Sequence, residues 1–561
     1  MLVDARWLMA MCLCVVCACI LPMASAQSLR NDVILKAMGD ELQRNTDSLQ
    51  LTGRETPFFI QYAVQRGRIF QVQATLGALT GVNDFQLGNM SVQTLVGNYQ
   101  MSNINHTSPD YRAGSAVDSS PIDDNYREIR RRLWLLTDQA YKRAIETYSN
   151  KMAAIKRQNL PADVLELPDF TNLPATSCLQ SAPVMNFEQE YWKKTALECS
   201  AVLKKYPDIY DSNVGIEVYS GDIYSFNSEG TQLTHPVRLI AVVVNAYTKS
   251  SDGEELSDKL SWYGRTKDEL PSAKQITEAV NTMAANLLSV SAAPLMEESY
   301  TGPVMLEGEV LASAMTAGLL SQQTGLIAYR TPITSGGIQK SMEDRLHLKI
   351  LSADVSIKSV PQMESYQGRP LIGSYRMDAE GVAPSELLLV ENGMLRTLMC
   401  DRVPKKKIKT PTGNRVYTYQ PLGISSLTSP GVLLIQTSQG LPPAELKEKL
   451  IHSAKEEGLS YAYIIRCQPN GRNAVLYKVQ TADGSESPVR AGALAGIGLN
   501  RLKRALGASN QVEVANMMVG NVPLSVVYPQ AMVVEEVEIE KRNLQNTTKL
   551  PTVSNPLIAK P

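Results

Sequence analysis

Near Asn213 the hydrophobic pattern of this chain changes period. Upstream, Ile129, Leu133, Leu136, Ala140, Ala144, Tyr148, Met152 and Ile155 recur at steps of three and four. That is the stripe of a long amphipathic helix, and it stops before Pro161. Downstream, Val214, Ile216 and Val218 alternate, and Val237–Ala246 is a near-continuous apolar run of the kind that lies inside a sheet. Helices followed by a meander of strands make the first half α+β.

Shorter signals fill in the rest. Val33, Ile34, Ala37, Met38 and Leu42 predict a first helix. Phe58–Tyr62 and Arg68–Ala74 predict two strands with Arg66-Gly67 as their turn, and residues 102–121 a polar loop. A helix carrying Trp192 and Cys199 is expected to end at Tyr206-Pro207. Gly221-Asp222 and Ser228-Glu229-Gly230 read as turns, and helical pattern resumes over 273–290. From Tyr300 onward, residues 304–320 read as one helix. Short strands follow at 386–390, 394–399, 431–436, 460–466, 474–480, 523–527 and 532–539, with one clear helix near Leu499–Leu506. Asn392-Gly393 between two apolar runs is the strongest hairpin signal among them, since both residues accept positive φ. The expected organisation is an N-terminal α+β domain over 27–295 with a long helical insertion at about 122–158. A mainly antiparallel C-terminal domain with an open, barrel-like sheet and few helices covers 296–545, and an extended tail 546–561. No internal repeat is found.

Composition removes several functions. The 561 residues carry 55 Lys+Arg against 56 Asp+Glu, so no excess of cations exists to bind nucleic acid. Residues 1–26 read as an export signal: Arg6, an apolar run from Leu8 to Met23, then Ala24-Ser25-Ala26 before Gln27. The run is shorter than the roughly 20 residues that span a bilayer, and no later run is long enough. The expected location is therefore periplasmic or extracellular, with no transmembrane span after signal removal. Cys12, Cys14, Cys17 and Cys19 leave with the signal. Of the rest, Cys178 and Cys199 stand close enough for a local bridge, while Cys199 also falls on an apolar stripe that suits a buried thiol.

The chemistry-bearing patterns are largely missing. His106, His235, His347 and His452 are too far apart to share a helix face, which excludes every zinc motif built on two histidines a turn apart. No Gly-x-Ser-x-Gly elbow or P-loop occurs. GALAGIG (492–498) reads as close packing, and the basic run 404–415 as a solvated loop. His235 and His347 read as structural.

Four strings nevertheless stand in a telling order: YTGPVMLEGEVLASAM (300–315), GSYRMDAEGVAPSELLLVENGMLRTLMCDR (373–402), TPTGNR (410–415) and SPVRAGALAGIGLNRLKRAL (487–506). Together they resemble the C-terminal domain of the TldD/PmbA metalloprotease family, and residues 133–156 are similar to exported members of it. In that family the metal-binding subunits carry His-Glu-x-x-x-His on the helix that opens the C-terminal domain, with a later cysteine as third ligand. The resemblance places Gly308 and Ser313 where the histidines would stand and Glu309 where the base would stand, with no cysteine near Ala515–Asn516. It therefore implies a subunit of the TldE (PmbA) type that holds no metal. Such a subunit pairs with a zinc-bearing TldD-like partner, or with itself, around unfolded peptide, and Thr412, Gly413 and Asn414 become candidate peptide-binding residues. Two alternatives stay open: a peptidase with an unrecognised site using Glu309, and a non-enzymatic binding or scaffold protein of the envelope.

Overall fold

Two long strands set the architecture of the first half. In the computed structural model, which describes residues 32–106, 114–158, 165–182, 185–321, 324–332, 341–420, 423–494 and 496–544, β1 (Pro57–Thr75) and β2 (Ala78–Val96) form one antiparallel hairpin. β3 (Ser115–Ser119) extends it beyond β2. On the other side β1 pairs with β5 (Ile209–Asn227) and β5 with β6 (Gln232–Lys249), all antiparallel. The outer edge of β6 takes both the short parallel strand β4 (Ser177–Leu179) and antiparallel β7 (Glu255–Gly264). The export signal and the tail read from the sequence lie outside the described residues.

Alternation gives this sheet two unlike faces. Four helices cover one: α1 (Val33–Ser48), α2 (Tyr126–Gln158), α3 (Gln189–Ala201) and α4 (Ala273–Ser291). Met38 and Leu133 pack on Tyr62, Val64 and Val92 at one end, and Trp192 and Met283 on Val72, Ile216 and Val242 at the other. The opposite face looks toward the second half of the chain, with Ile69, Tyr219 and Ile223 meeting Ile372.

The second half opens with β8 (Tyr300–Glu307) and α5 (Glu309–Leu319). Two sheets follow. β8 is central in one, between Tyr461–Arg466, parallel to it, and Ala531–Lys541, antiparallel. The other runs through Leu387–Glu391, Val355–Ser359, Val432–Thr437, Val522–Pro529 and Val512–Val519. Leu311 and Met315 of α5 fill the core between them with Leu306, Ile357, Leu433 and Val526. α6 (Pro443–Glu456) covers the outer face of the β8 sheet through Leu446 and Leu450. The class is α+β, with a curled, half-barrel sheet in the second half.

Several local expectations give way to tertiary structure. Gly67 and Gly221 are not turns: each sits mid-strand, and they oppose one another in the β1–β5 register. A Cβ on Gly221 would lie 2.3 Å from Arg66 O, so the glycines let two long strands approach closely. Residues 304–307 belong to β8, not to the helix after them. Within 102–121, Ser115–Ser119 is a strand, and residues 107–113 lie outside the described set. The clear helix of the second half is α6. Near 499–506 only Leu499–Leu502 is helical and Ala505–Ala508 is a strand. Close packing holds at Gly492, where a Cβ would meet Leu476 at 2.3 Å, but nothing lies within 4 Å of one on Gly496 or Gly498. Cys178 and Cys199 are not bridged; Cys199 is buried with its sulfur 3.4 Å from Thr277 Oγ1. No helix among the described residues is long and apolar enough to cross a membrane.

Candidate functional site

Three neighbouring places carry the polar chemistry of the molecule, and the first is the start of α5. Gly308 turns the chain from β8 into the helix at φ 64° and ψ −146°, which glycine adopts freely and a residue with a side chain only under strain. A histidine at this position would therefore need a different backbone. Glu309 follows as the first helical residue, buried, with its carboxylate 2.6 Å from Arg472 Nη1. Burial pushes its carboxyl up to about 7, against the opposing pull of Arg472. Burial pushes the nearby Cys467 thiol up to about 12, reinforced by the charge of Glu309, so it stays protonated at neutral pH. Ser313 is exposed, on the outer side of the helix. Among the described residues no three His, Cys, Asp or Glu side chains stand where they could share a metal ion. The donor set at Glu309, one carboxylate tied to an arginine and one protonated thiol, does not fit zinc.

The second place is a knot of charged groups made by the 373–402 and 410–415 strings. Asp378 accepts the backbone N–H groups of Glu380 (2.9 Å), Val382 (2.8 Å) and Arg415 (3.2 Å). Glu380 accepts the N–H of Arg402 at 2.9 Å, and burial, reinforced by Asp401 and Asp378, pushes its carboxyl up to about 8. Burial acts to raise Asp401 as well, but Lys405 and Arg415 overcome it and hold that carboxyl below the usual range. Thr412, Gly413 and Asn414 brace this knot. Thr412 exchanges hydrogen bonds with Cys400, Gly413 O accepts from Tyr375 OH at 2.9 Å, and the buried Asn414 amide donates to Ser359 and Ser429. Asn414 Oδ1 is buried with no hydrogen-bond partner, and Tyr375 also lines the third place. The basic run 404–415, expected to be solvated, is half inside: Lys405 is buried 2.7 Å from Asp401.

Arginines of the second half clamp it to the first. Arg402 Nη2 donates to Thr171 O at 2.6 Å and to both oxygens of Glu229 at 2.7 Å, with its guanidinium 4.2 Å from the Phe170 ring centre. Arg490 holds Asp252 and Glu254 at 2.6–2.9 Å. Arg472 reaches Ser261 Oγ at 2.9 Å. Charge-rich sequence that reads as surface is thus an interior seam.

The third place is a cleft of about 540 Å³ along that seam. The sheet supplies Gln65, Ile223, His235, Val237, Arg238 and Arg265; the second half supplies the 372–377 stretch and Tyr417–Tyr419. The His235 ring meets Tyr417 edge-on at 5.2 Å, and its Nε2 has no hydrogen-bond partner. Burial lowers its pKa to about 4, so the ring is neutral at pH 7. The other histidines stand elsewhere: His347 and His452 are exposed and His106 is partly buried beside Lys151. Arg238 and Arg265 escaped the sequence reading. A signal was present, because Arg238 is the one charge inside the apolar run 237–246.

Comparison with known proteins places this geometry. Residues 300–541 match the model of the PmbA/TldA metallopeptidase C-terminal domain. A protein of Methanothermobacter thermautotrophicus named Metalloprotease is 29% identical over 196 residues, covering 34% of this chain and 38% of that protein. The crystal structure of TldE from Thermococcus kodakarensis superposes with a TM-score of 0.54 at 13% identity, over 90% of this chain and 100% of that one, a likeness of fold.

Proposed function

The chain belongs to the TldD/PmbA family, and from that premise we propose that it is the exported, metal-free subunit of a peptide-handling pair. In this reading it binds unfolded peptide, while a TldD-like partner supplies the zinc and performs the hydrolysis. The N-terminal export signal puts the pair in the periplasm or outside the cell. One observation carries the reading: the carboxylate at the start of α5 faces an arginine where a metal-activated water would need it free. The likeness of fold to a TldE protein agrees with a subunit role.

Metal analysis and peptide cleavage, measured on the mature protein alone and after co-purification with its native partners, test this directly. Cleavage is expected only with the partner present, and zinc only in the partner's stoichiometry. One zinc per chain together with cleavage by the isolated protein overturns it. A second reading starts from the burial of Glu309 at the head of α5, which pushes its carboxyl up to about 7, the range in which a general base works best. If the isolated protein cleaves peptide and Glu309→Gln abolishes that cleavage, the active-peptidase reading replaces the first.

A further inference from the structure

The first sheet guards one stretch of edge and leaves the next one bare. β3 lies along the far half of β2, and arginines of α2 occupy the outer carbonyls of β3. Arg143 Nη1 donates to Ser115 O at 2.9 Å, and Arg132 Nη1 to Ser119 O at 3.0 Å. On the other side of the sheet, the edge of β6 is taken by β4 and β7. Before Gly88, β2 has a partner strand on one side only, β1.

Alternation tells what the bare stretch presents. Gly88 O accepts Ser120 N–H and Thr94 N–H donates to Gly114 O, so the even-numbered residues of β2 turn away from β1. The β1 register runs unshifted from Gly81 to Leu95, which turns the N–H and C=O groups of Val82, Asp84 and Gln86 outward as well. None of these groups has a hydrogen-bond partner among the described residues. Open edges are commonly blunted by lysine or proline, and Ala78–Leu87 contains neither. It carries exposed Val82 and Phe85 instead, one on the helical face opposite Val72 and one on the seam face opposite Ile69. Its single charge, Asp84, is already held by Arg68 and Gln189 at 2.6 Å each.

We infer that two copies of this chain join here, β2 against β2, antiparallel about a two-fold axis at Asn83. An antiparallel edge can meet its own image, so one surface serves both copies. Val82 of each copy then faces Asp84 of the other, and the facing residues exchange their N–H···O bonds. Phe85 faces Gly81 of the second copy, where a Cβ would meet only the Gln73 side chain, at 3.9 Å, so there is room for the ring. An axis at Asp84 would set two carboxylates opposite one another, which the axis at Asn83 avoids. An edge whose one charge is neutralised offers a charged partner no attraction and its own image no repulsion. The pairing needs neither peptide nor a metal-bearing subunit, so it goes beyond the function proposed above and stands or falls separately from it.

Analytical ultracentrifugation of the mature protein over about 1 to 100 μM is expected to show a monomer–dimer equilibrium. Val82→Pro removes an N–H that bonds only across the edge, and Val82→Lys places a charge beside it. Each is expected to raise the dissociation constant roughly tenfold or more, the worth of about one or two hydrogen bonds, with an unchanged circular dichroism spectrum. Asn83→Cys tests the axis. Facing residues of a non-hydrogen-bonded antiparallel pair have Cα atoms about 4.5 Å apart, within reach of a disulfide. Oxidation is therefore expected to crosslink that variant, while Gln86→Cys and the unaltered protein stay uncrosslinked on a non-reducing gel. A protein that is monomeric throughout the range overturns the inference, and so does a dimer that both Val82 variants leave intact. Crosslinking through Gln86→Cys and not through Asn83→Cys overturns the placement of the axis. Monomers that lose a co-purifying partner on Val82→Pro overturn the self-pairing and assign the edge to that partner.

Discussion

The two faces of the N-terminal sheet solve the same problem by different physics. The face under α1 to α4 is closed by apolar side chains such as Met38, Leu133, Trp192 and Met283, a dry layer whose free energy comes from surface removed from water. The face toward the second half is closed by buried ion pairs and bridging tyrosines, and it leaves a cleft open. Apolar layers pack to near-crystalline density and leave little room. Charged clamps are costly to desolvate and directional, so they hold surfaces in register without filling the space between them. The difference teaches where to look for function: the face that stabilises least per buried group keeps the cavity.

That contrast can be broken at its strongest clamp. Arg402→Ala strands Glu229 in the interior, and denaturant unfolding is expected to show a loss of about 4 kcal/mol, the cost of leaving one buried charge unpaired. Arg402→Met combined with Glu229→Leu should recover most of it, since apolar replacements of a buried pair are often neutral. If the double variant is as unstable as the single one, the clamp contributes net stability and the two faces are held by more similar physics. On the helical face, Leu133→Ala is expected to cost about 3 kcal/mol through lost transfer energy and a cavity. No second substitution across the sheet should rescue it, apart from one that refills the volume.

The charged seam alone should respond to pH. Glu380 is pushed up to about 8 by burial beside Asp401 and Asp378, above the ordinary glutamate range. The folded state therefore holds a proton that the unfolded chain releases, and stability is kept below the ordinary range and lost as pH rises toward 8. Glu380→Gln, whose amide oxygen still accepts the Arg402 N–H, should stabilise the protein by about 2 kcal/mol at pH 8.5 once partial exposure is discounted, and by far less at pH 5. Thermal unfolding across that range checks the slope; an effect equal at both ends would remove Glu380 from the account.

The same contrast explains what could be read from the chain. The helical face was legible because α2 repeats apolar residues over about seven turns, a periodic signal that tertiary structure only confirms. The hairpin at Asn392-Gly393 was legible for a local reason, both residues standing at positive φ. Gly67 and Gly221 misled, because a glycine that ends a strand and one that lets two strands touch look alike until the partner is known. α6 was overlooked although Pro443 opens it, since its three buried apolar positions, Leu446, Leu450 and Ala454, sit among lysines and glutamates. Of the candidate residues, Glu309 could be singled out by its place in a string. The partners that define its chemistry could not: Arg472 and Cys467 are more than 150 residues away in sequence. Arg265 meets the second half only because a residue just past β7 reaches Leu371 O and Ser374 Oγ, more than 100 positions away.

The mildest test concerns the edge of the helical face, where local chemistry should suffice. Asp32 caps α1, accepting the N–H groups of Ile34 at 2.7 Å and Leu35 at 3.2 Å, and its second oxygen accepts from Tyr224 OH of β5 at 3.2 Å. Asp32→Ala should cost about 1 kcal/mol, the usual worth of an N-cap, and Asp32→Ser should restore most of it because a hydroxyl still reaches the helix N–H groups. Tyr224→Phe removes only the link to the sheet. If it costs as much as Asp32→Ala, the cap acts through β5, and this end of the helical face is held by polar reach across elements, as the seam is. If it costs a few tenths, the helix is capped from within, and the face owes its closure to periodic apolar packing alone.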